Sequence, residues 1–383
     1  MMVVWIIIQV LIGFHLVFPL LLYGFYLLRK AVGSGSVAAV PTEPADYAVI
    51  ITAYEQTHQL PAAIQSILDQ HEQNFIVYVV LDNCKPGSFD YSHEKVVLLW
   101  PEQVLAGNVR SHFYAINRFV RPHNRLTIID SDNLADPAYL AELNVFFDRG
   151  YEAVQGVRDP KNLNTTLACL DAARDIYYHF YDGRLLYGAG SSATLAGSGM
   201  AFTTRLYQDC LAGFDMQGAG FDKVLQNRIL RMNKRIAFAD RAVVYDEKTT
   251  QAGQLVNQRS RWINTWFSFF YFGFGLVGQG LFRLRMNQLL FGLVLLRPPL
   301  FIFLLLSIVC MLANVFVSAT AVIIWLAGFV CFVGGFLLSL AHGKTDRRIF
   351  RALLHIPKFI WLQVTALLFA ARANQRSVAT KHD

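Results

Sequence analysis

Charge is scarce in this sequence. Of its 383 residues, 16% are Asp, Glu, Lys or Arg and 54% are hydrophobic, above the roughly 45–50% apolar content of ordinary soluble domains. A chain that is soluble throughout is thereby excluded. Cysteine is sparse too: the five, Cys84, Cys169, Cys210, Cys310 and Cys331, have no CxxC-type spacing, so neither a disulfide framework nor a zinc site is indicated. A reducing compartment is expected for the soluble part. There is no internal repeat and no long basic stripe. The formal charge of +7 resides in lysines and arginines that crowd around the hydrophobic segments, which points to a membrane surface and away from nucleic acid. The basic run over residues 118–125 reads either as a solvated loop or as an attractant for phosphate-bearing ligands.

Long apolar sequence is plentiful. Residues 3–28 are almost wholly apolar and are followed by Arg29 and Lys30, exceeding the roughly 20 residues needed to cross hydrocarbon. The positive charge follows the apolar core, the reverse of a cleaved signal peptide, so 1–30 reads as a transmembrane anchor. The same charges predict Arg29 in the cytosol and Met1 outside. A Gly/Ser/Pro-bearing linker is expected over 31–45. Apolar runs at 47–52, 75–81 and 126–129 then alternate with helical spacing such as 61–70. This predicts an α/β domain over 46–262, a mostly parallel sheet flanked by helices.

After Trp262 the character changes. Residues 267–296 are aromatic and glycine-rich with Arg283, Arg285 and Arg297 interspersed, as expected of interfacial helices over 263–298. Residues 299–341 are long enough for two transmembrane helices turning near Ser318, and Lys344, Arg347 and Arg348 return the chain to the cytosol. The apolar stretch 350–371 carries His355, Pro357, Lys358 and Gln363. It reads as part of a cytosolic interfacial helix and tail over 342–383, with a further span as the alternative.

The strongest local signal is Leu-Thr-Ile-Ile-Asp130-Ser131-Asp132, two carboxylates one residue apart at the carboxyl end of an apolar run. Ligands of open α/β sheets gather at such ends. Alternate carboxylates in a loop can hold one hard cation, and Mg2+ or Mn2+ in turn holds diphosphate oxygens. An acidic turn or helix cap is the competing reading. Asp82 closes a second apolar run. Two strands that both end in aspartate favour one ligand lying across them.

At this point the pattern resembles the membrane-bound members of glycosyltransferase family 2, the group of cellulose, chitin and hyaluronan synthases, over nearly the whole chain. Residues 49–55, with Thr52, Ala53, Tyr54 and Glu55, are similar to that family's first strand and nucleotide loop. Asp82 matches its uridine-contacting aspartate, and Asp130-Ser131-Asp132 its metal-binding DxD motif. Gly197, Ser198 and Gly199 look like the glycine-rich segment beneath the acceptor. Asp222 falls where the family carries the general base of its TED or xED motif. Gln258-Arg259-Ser260-Arg261-Trp262 matches the QxxRW motif in full.

The resemblance implies a GT-A-like fold and a hexosyltransferase of polysaccharide or glycolipid biosynthesis. Sugar would pass from a nucleotide-sugar donor, a UDP-sugar by the Asp82 match, to a glycan or polyprenyl-linked acceptor, with inversion. Mg2+ or Mn2+ would be held by Asp130 and Asp132, and Asp222 would take the acceptor's proton. Arg259 or Arg261 would meet the departing diphosphate and Trp262 would offer a flat face to a sugar. The pattern also departs from the family: Glu55-Gln56 replaces Asn-Glu, His112 occupies the place of a customary lysine, and Phe221 that of the xED glutamate. If His112 substitutes for the lysine, it contacts the diphosphate. Expected partners are the lipid bilayer and a homo-oligomeric or polysaccharide-export assembly, in the plasma or inner membrane with the catalytic domain cytosolic. A non-catalytic nucleotide-sugar-binding subunit is the alternative function.

Overall fold

The computed structural model describes residues 2–33, 44–216 and 218–373; most of the expected linker and the end of the tail lie outside them. Eight strands form one sheet: β1 (Tyr47–Tyr54), β2 (Phe75–Asp82), β3 (Val96–Leu99), β4 (Arg125–Asp130), β5 (Leu134–Ala135), β6 (Ala153–Pro160), β7 (Met200–Thr203) and β8 (Ile236–Asp246). Their order is β3-β2-β1-β4-β7-β6-β8-β5. The pairs β1–β2, β1–β4, β2–β3 and β6–β8 are parallel, while β7 runs antiparallel to both its neighbours and β5 antiparallel to β8.

Ahead of the sheet lies α1 (Met2–Val32); α2 (Leu60–Leu68), α3 (Asn108–Ile116) and α4 (Tyr139–Phe147) connect the first strands. Side chains alternate across a strand, and this divides the core. Tyr47, Val49, Ile51 and Ala53 of β1 pack with α2 and α4. Ala48 and Ile50 face the other way, into a cluster shared with Tyr78, Val80, Leu126 and Ile128. Helix α2 shows how sequence makes the layer: Pro61 fits the first turn, where no amide partner is lost, and Leu60, Ala63, Ile64 and Ile67 form one buried stripe.

Next come α5 (Thr166–Tyr178), capped by Thr165, a π-helical turn His179–Leu185, α6 (Leu186–Gly188), α7 (Thr204–Leu211) and α8 (Phe221–Arg231). The chain ends in α9 (Ala252–Phe269), α10 (Phe272–Phe282), α11 (Met286–Leu296), α12 (Leu300–Asn314), α13 (Ala319–His342), α14 (Arg347–Ala352) and α15 (Ile356–Phe369). The cluster behind one face of the sheet runs on without a break into Leu16 and Leu22 of α1, Phe303 of α12 and Phe332 of α13. Sheet and apolar helices therefore share one core.

Among the described residues, three helical stretches are long and apolar enough to cross a membrane: α1, α13 and Arg347–Phe369. They fit a membrane protein, and their outer faces carry exposed Val3, Ile7, Leu11, Ile323, Ile324 and Val330, the surface that lipid would cover. Of the two spans expected within 299–341, α13 alone has the length. Helix α12 has 15 residues, and it passes the same test only together with α11, from which it bends by 71°. Part of the stretch expected to lie in the interface thus pairs with α12 as a broken span or re-entrant loop. Within the bundle, the Gln9 carboxamide of α1 accepts from Trp325 Nε1 at 2.9 Å and from Asn314, bonds that avoid unpaired polar groups in an apolar setting.

Gly156 lies where the β6–β8 register shifts. A Cβ there would fall inside contact distance of the Ala242 carbonyl oxygen and 3.2 Å from that of Gly199. Both neighbours are backbone and cannot rotate away. Gly156→Ala is expected to cost about 1–3 kcal/mol through overpacking. Thermal unfolding of the detergent-solubilised protein checks this; an unchanged melting temperature would show that the strand pair opens freely at the bulge.

Candidate active site

Strand register assembles one side of the site. Tyr54 lies opposite Asp82 across β1–β2, and Thr52 opposite Asp130 across β1–β4. The carboxyl ends of the three parallel strands thus open into one cavity of about 670 Å³, bordered by Thr52, Ala53, Tyr54, Asp82, Asp130, Ser131 and Asp132. The Asp82 carboxylate is held in place: its two oxygens accept the amides of Leu105 at 2.8 Å and Ala106 at 2.9 Å.

The glycine-rich segment supports the carboxylate loop from behind. Gly197, with φ 89°, borders the cavity. Ser198 and Gly199 lie beneath it, and the buried Ser198 hydroxyl accepts from the Asp130 amide at 3.1 Å and from Asn133 Nδ2 at 2.8 Å. Gln155 of β6 fixes the segment's shape, donating to the carbonyls of Ser198 and Gly199 and accepting from the Ala196 amide.

Helices α8 and α9 build the opposite wall. Asp222 sits in the first turn of α8, paired with Lys223 at 2.9 Å. Gln258, Arg259, Arg261 and Trp262 of α9 also border the cavity. Their surroundings differ from expectation in one respect: the guanidinium carbons of Arg259 and Arg174 lie 4.0 and 4.3 Å from the Trp262 ring centre. The ring anchors two cations.

Two expected donor residues are not on the cavity wall. Glu55, at φ 62°, is exposed and held by Asn83 at 3.0 Å. His112 is buried on α3, its Nδ1 2.6 Å from the Tyr207 hydroxyl and its ring against Phe221. Burial lowers its pKa to about 3. The placement of a neutral, enclosed imidazole removes the diphosphate role expected of it. A cation does stand at the DxD loop: Lys161 Nζ is 3.3 Å from the Asp132 carbonyl and 3.7 Å from Glu247.

Sequence reasoning missed a buried ion network behind the cavity. Asp246 meets Arg158 and, at 2.9 Å, Lys248; Lys248 reaches Asp175 at 2.6 Å; Arg174 joins Asp175 to Asp171, and Asp171 pairs with Arg259. Burial works against the Asp246 carboxylate, yet Arg158 and Lys248 hold its pKa down to about 2. No local sequence signal marked it: Arg174 stands between Asp171 and Asp175 on a helix of mixed composition. Arg297, at the α11–α12 bend, pairs with Asp182 of the π-helical turn, a helix type frequent at functional sites.

The family resemblance implies a divalent cation, and the donor set fits one. Asp130 and Asp132 supply two carboxylates to the cavity, and among the described residues no group of three or more His, Cys, Asp or Glu could hold a metal alone. Mg2+ and Mn2+ are commonly held by one or two carboxylates, with substrate phosphates and water completing the shell. The site has that composition.

A family model described as glycosyltransferase like family 2 matches residues 44–265. No curated protein matches the sequence. Among solved structures, the mannosyltransferase PcManGT of Pyrobaculum calidifontis, in complex with GDP-Man and Mn2+, is similar at TM-score 0.53 and 15% identity, covering 96% of this chain and 97% of its own. TarS 1–349 of S. aureus is similar at TM-score 0.43 and 14% identity, with 86% and 90% covered. The first of these likenesses supports the GT-A fold.

His112 generates a pH prediction. Its folded pKa of about 3 lies below the unfolded value of 6.5, so only the unfolded chain takes up a proton between them. Stability is unaffected above pH 6.5 and falls as the pH drops below it, by about 2 kcal/mol at pH 5. The difference in unfolding free energy between wild type and His112→Gln, followed from pH 7.5 to 5, is expected to narrow by that amount. Parallel curves would place a charged imidazole in the folded protein.

Proposed function

The chain belongs to the glycosyltransferase-like family 2, whose model covers more than half of it, and on that premise we propose that it performs inverting, metal-dependent transfer from a nucleotide-sugar donor to a glycan or lipid-linked acceptor at a membrane. That it is a glycosyltransferase follows from the family match and the fold. The observation that carries the finer reading is convergence. Asp82, Asp130, Asp132, Asp222, Gln258, Arg261 and Trp262, distant in sequence, border one cavity whose far end is lined by Leu300 and Phe301 at the helix bend.

The nucleotide would lie across β1, β2 and β4, with Asp82 toward the base and ribose. A UDP-sugar remains the expected donor on the Asp82 match. A divalent cation, when bound by Asp130 and Asp132, supplies the positive charge that a departing diphosphate requires. The acceptor hydroxyl attacks the anomeric carbon from the face opposite the nucleotide. A new carbon–oxygen bond forms, the bond to the diphosphate breaks with its electrons, and the hydroxyl proton passes to Asp222. Lys223 Nζ lies 2.9 Å from the Asp222 carboxylate and fixes its position in the first turn of α8. Arg261 would face the diphosphate from α9.

The apolar Val294, Leu300 and Phe301 beside the Arg297–Asp182 pair suit an acceptor that arrives from the bilayer with a charged head, and a polyprenyl-linked one is the acceptor we favour. The charges beside α1 and after α13 support a cytosolic placement of the site.

Two experiments test this reading with purified, detergent-solubilised protein and a panel of nucleotide sugars. Nucleoside diphosphate release is expected to need Mg2+ or Mn2+ and to vanish in Asp132→Ala; full activity in excess chelator would overturn the metal assignment. Asp222→Asn should bind nucleoside diphosphate like wild type yet transfer roughly 10²–10⁴-fold more slowly, the usual loss on removing a positioned base. If it keeps more than about a tenth of wild-type transfer, the proton goes elsewhere, and Glu247 on the cavity wall is the next candidate, since Asp246 is tied to Arg158 and Lys248.

A further inference from the structure

Helix α15 inverts the usual placement of polarity. Its outward face carries the well exposed Trp361, Leu368 and Phe369, an apolar surface that lipid would cover. Its inward stripe runs through Phe359, Gln363 and Ala366, so the amide of Gln363 stands where a helix packed on a core places an apolar side chain. Polar groups on membrane helices turn inward in this way when they line a cavity. The stretch 347–369 lies beyond the residues that the family model matches.

Gln363 is 9% exposed and borders the cavity. Its carboxamide makes no hydrogen bond among the described residues, yet its nitrogen and oxygen are not sealed off from open space. One turn further on, Ala366 packs with Ile263 of α9 and Phe301 of α12, both of which border the cavity as well. Gln363 therefore opens toward the apolar end.

A buried amide without a partner is destabilising relative to an apolar group of the same shape, and a ligand that pairs with it removes that penalty. A carboxamide offers two donor hydrogens and an acceptor oxygen. An ionised phosphate only accepts, and so satisfies one half of it. A hydroxyl both donates and accepts, and satisfies both. Ile263 and Phe301 beside it suit a lipid chain, which makes a sugar carried on a lipid the matching chemistry.

We propose that Gln363 is an acceptor-specificity residue: it hydrogen-bonds a sugar hydroxyl of the lipid-linked acceptor, so that a glycosylated lipid is preferred over the bare lipid phosphate. This deepens the reading above and rests on it for the presence of an acceptor in the cavity. It also gives α15 a part in substrate recognition.

The test uses the full chain in detergent and two probes, a short-chain polyprenyl phosphate and the same lipid phosphate carrying one glucose. Wild type is expected to bind the glucosylated probe more tightly. Gln363→Met keeps the length of the side chain and removes its hydrogen bonding. It should weaken the glucosylated probe about tenfold and leave the bare lipid phosphate and a nucleoside diphosphate bound as in wild type. Thermal unfolding without ligand separates recognition from packing: the variant is expected to melt no lower than wild type, because the unpaired amide is gone. A residue that serves packing alone would give a lower melting temperature with every affinity unchanged, and that result overturns the proposal. So does equal affinity of wild type for the two probes, or a loss in Gln363→Met that both probes share. Nucleoside diphosphate release with Mg2+ or Mn2+, and its absence in Asp132→Ala, are measured separately, so Gln363 can fail this test while the transferase reading stands.

Discussion

The ion network joining β6, β8, α5 and α9 is the constraint on which the rest of the molecule depends. Arg158 and Asp246 come from the sheet, Asp171, Arg174 and Asp175 from α5, and Arg259 from the helix that leads toward the apolar bundle. Charges taken out of water are tolerated only when each has its partner, and breaking one such pair costs roughly 3–5 kcal/mol. The network therefore fixes how α5 and α9 sit on the sheet. That in turn decides where Trp262, Arg261 and the α8 turn bearing Asp222 meet the strand ends. Arg158 and Lys248 hold the Asp246 carboxyl below its ordinary pKa against the cost of burial, which favours the ionised pair.

Much of the sheet side of the cavity was legible in the sequence because it is local. Apolar runs ending in Asp82 and Asp130 announced strands with carboxylates at their carboxyl ends, and the β1–β2 and β1–β4 registers bring those ends together. The QxxRW segment could be read as a unit because it occupies one helix. What stayed hidden depends on partners far away in the chain. His112 looked like a substitute for lysine until Tyr207, 95 positions later, enclosed it. Arg174 and Asp171 lie on a helix whose sequence gives no hint that residue 259 will complete them. The apolar tail is divided at a point composition does not mark: 299–341 is long enough for two crossings, whereas the break at Arg297 leaves α12 with 15 residues, bent by 71° from α11.

The one-core construction also explains the cavity's two characters. Where the sheet ends, its walls are aspartates and backbone; where α11 and α12 part, they are Val294, Leu300 and Phe301. A soluble domain merely tethered to a membrane would have its own closed core. Here the residues behind β1 and β4 are continuous with Leu16 and Phe303, so the polar and apolar ends are parts of the same rigid body. Pairing of Arg297 with Asp182 at the junction keeps that boundary in place.

The shared hydroxyl of Ser198 carries a mechanical implication. One oxygen atom receives both the Asp130 amide and the Asn133 side chain while its own backbone is stapled by Gln155. The turn at Gly197 and the loop bearing the two carboxylates are thus coupled through one pivot. Any displacement of Gly197 is transmitted to the Asp130–Asp132 loop, as pressing one arm of a seesaw moves the other.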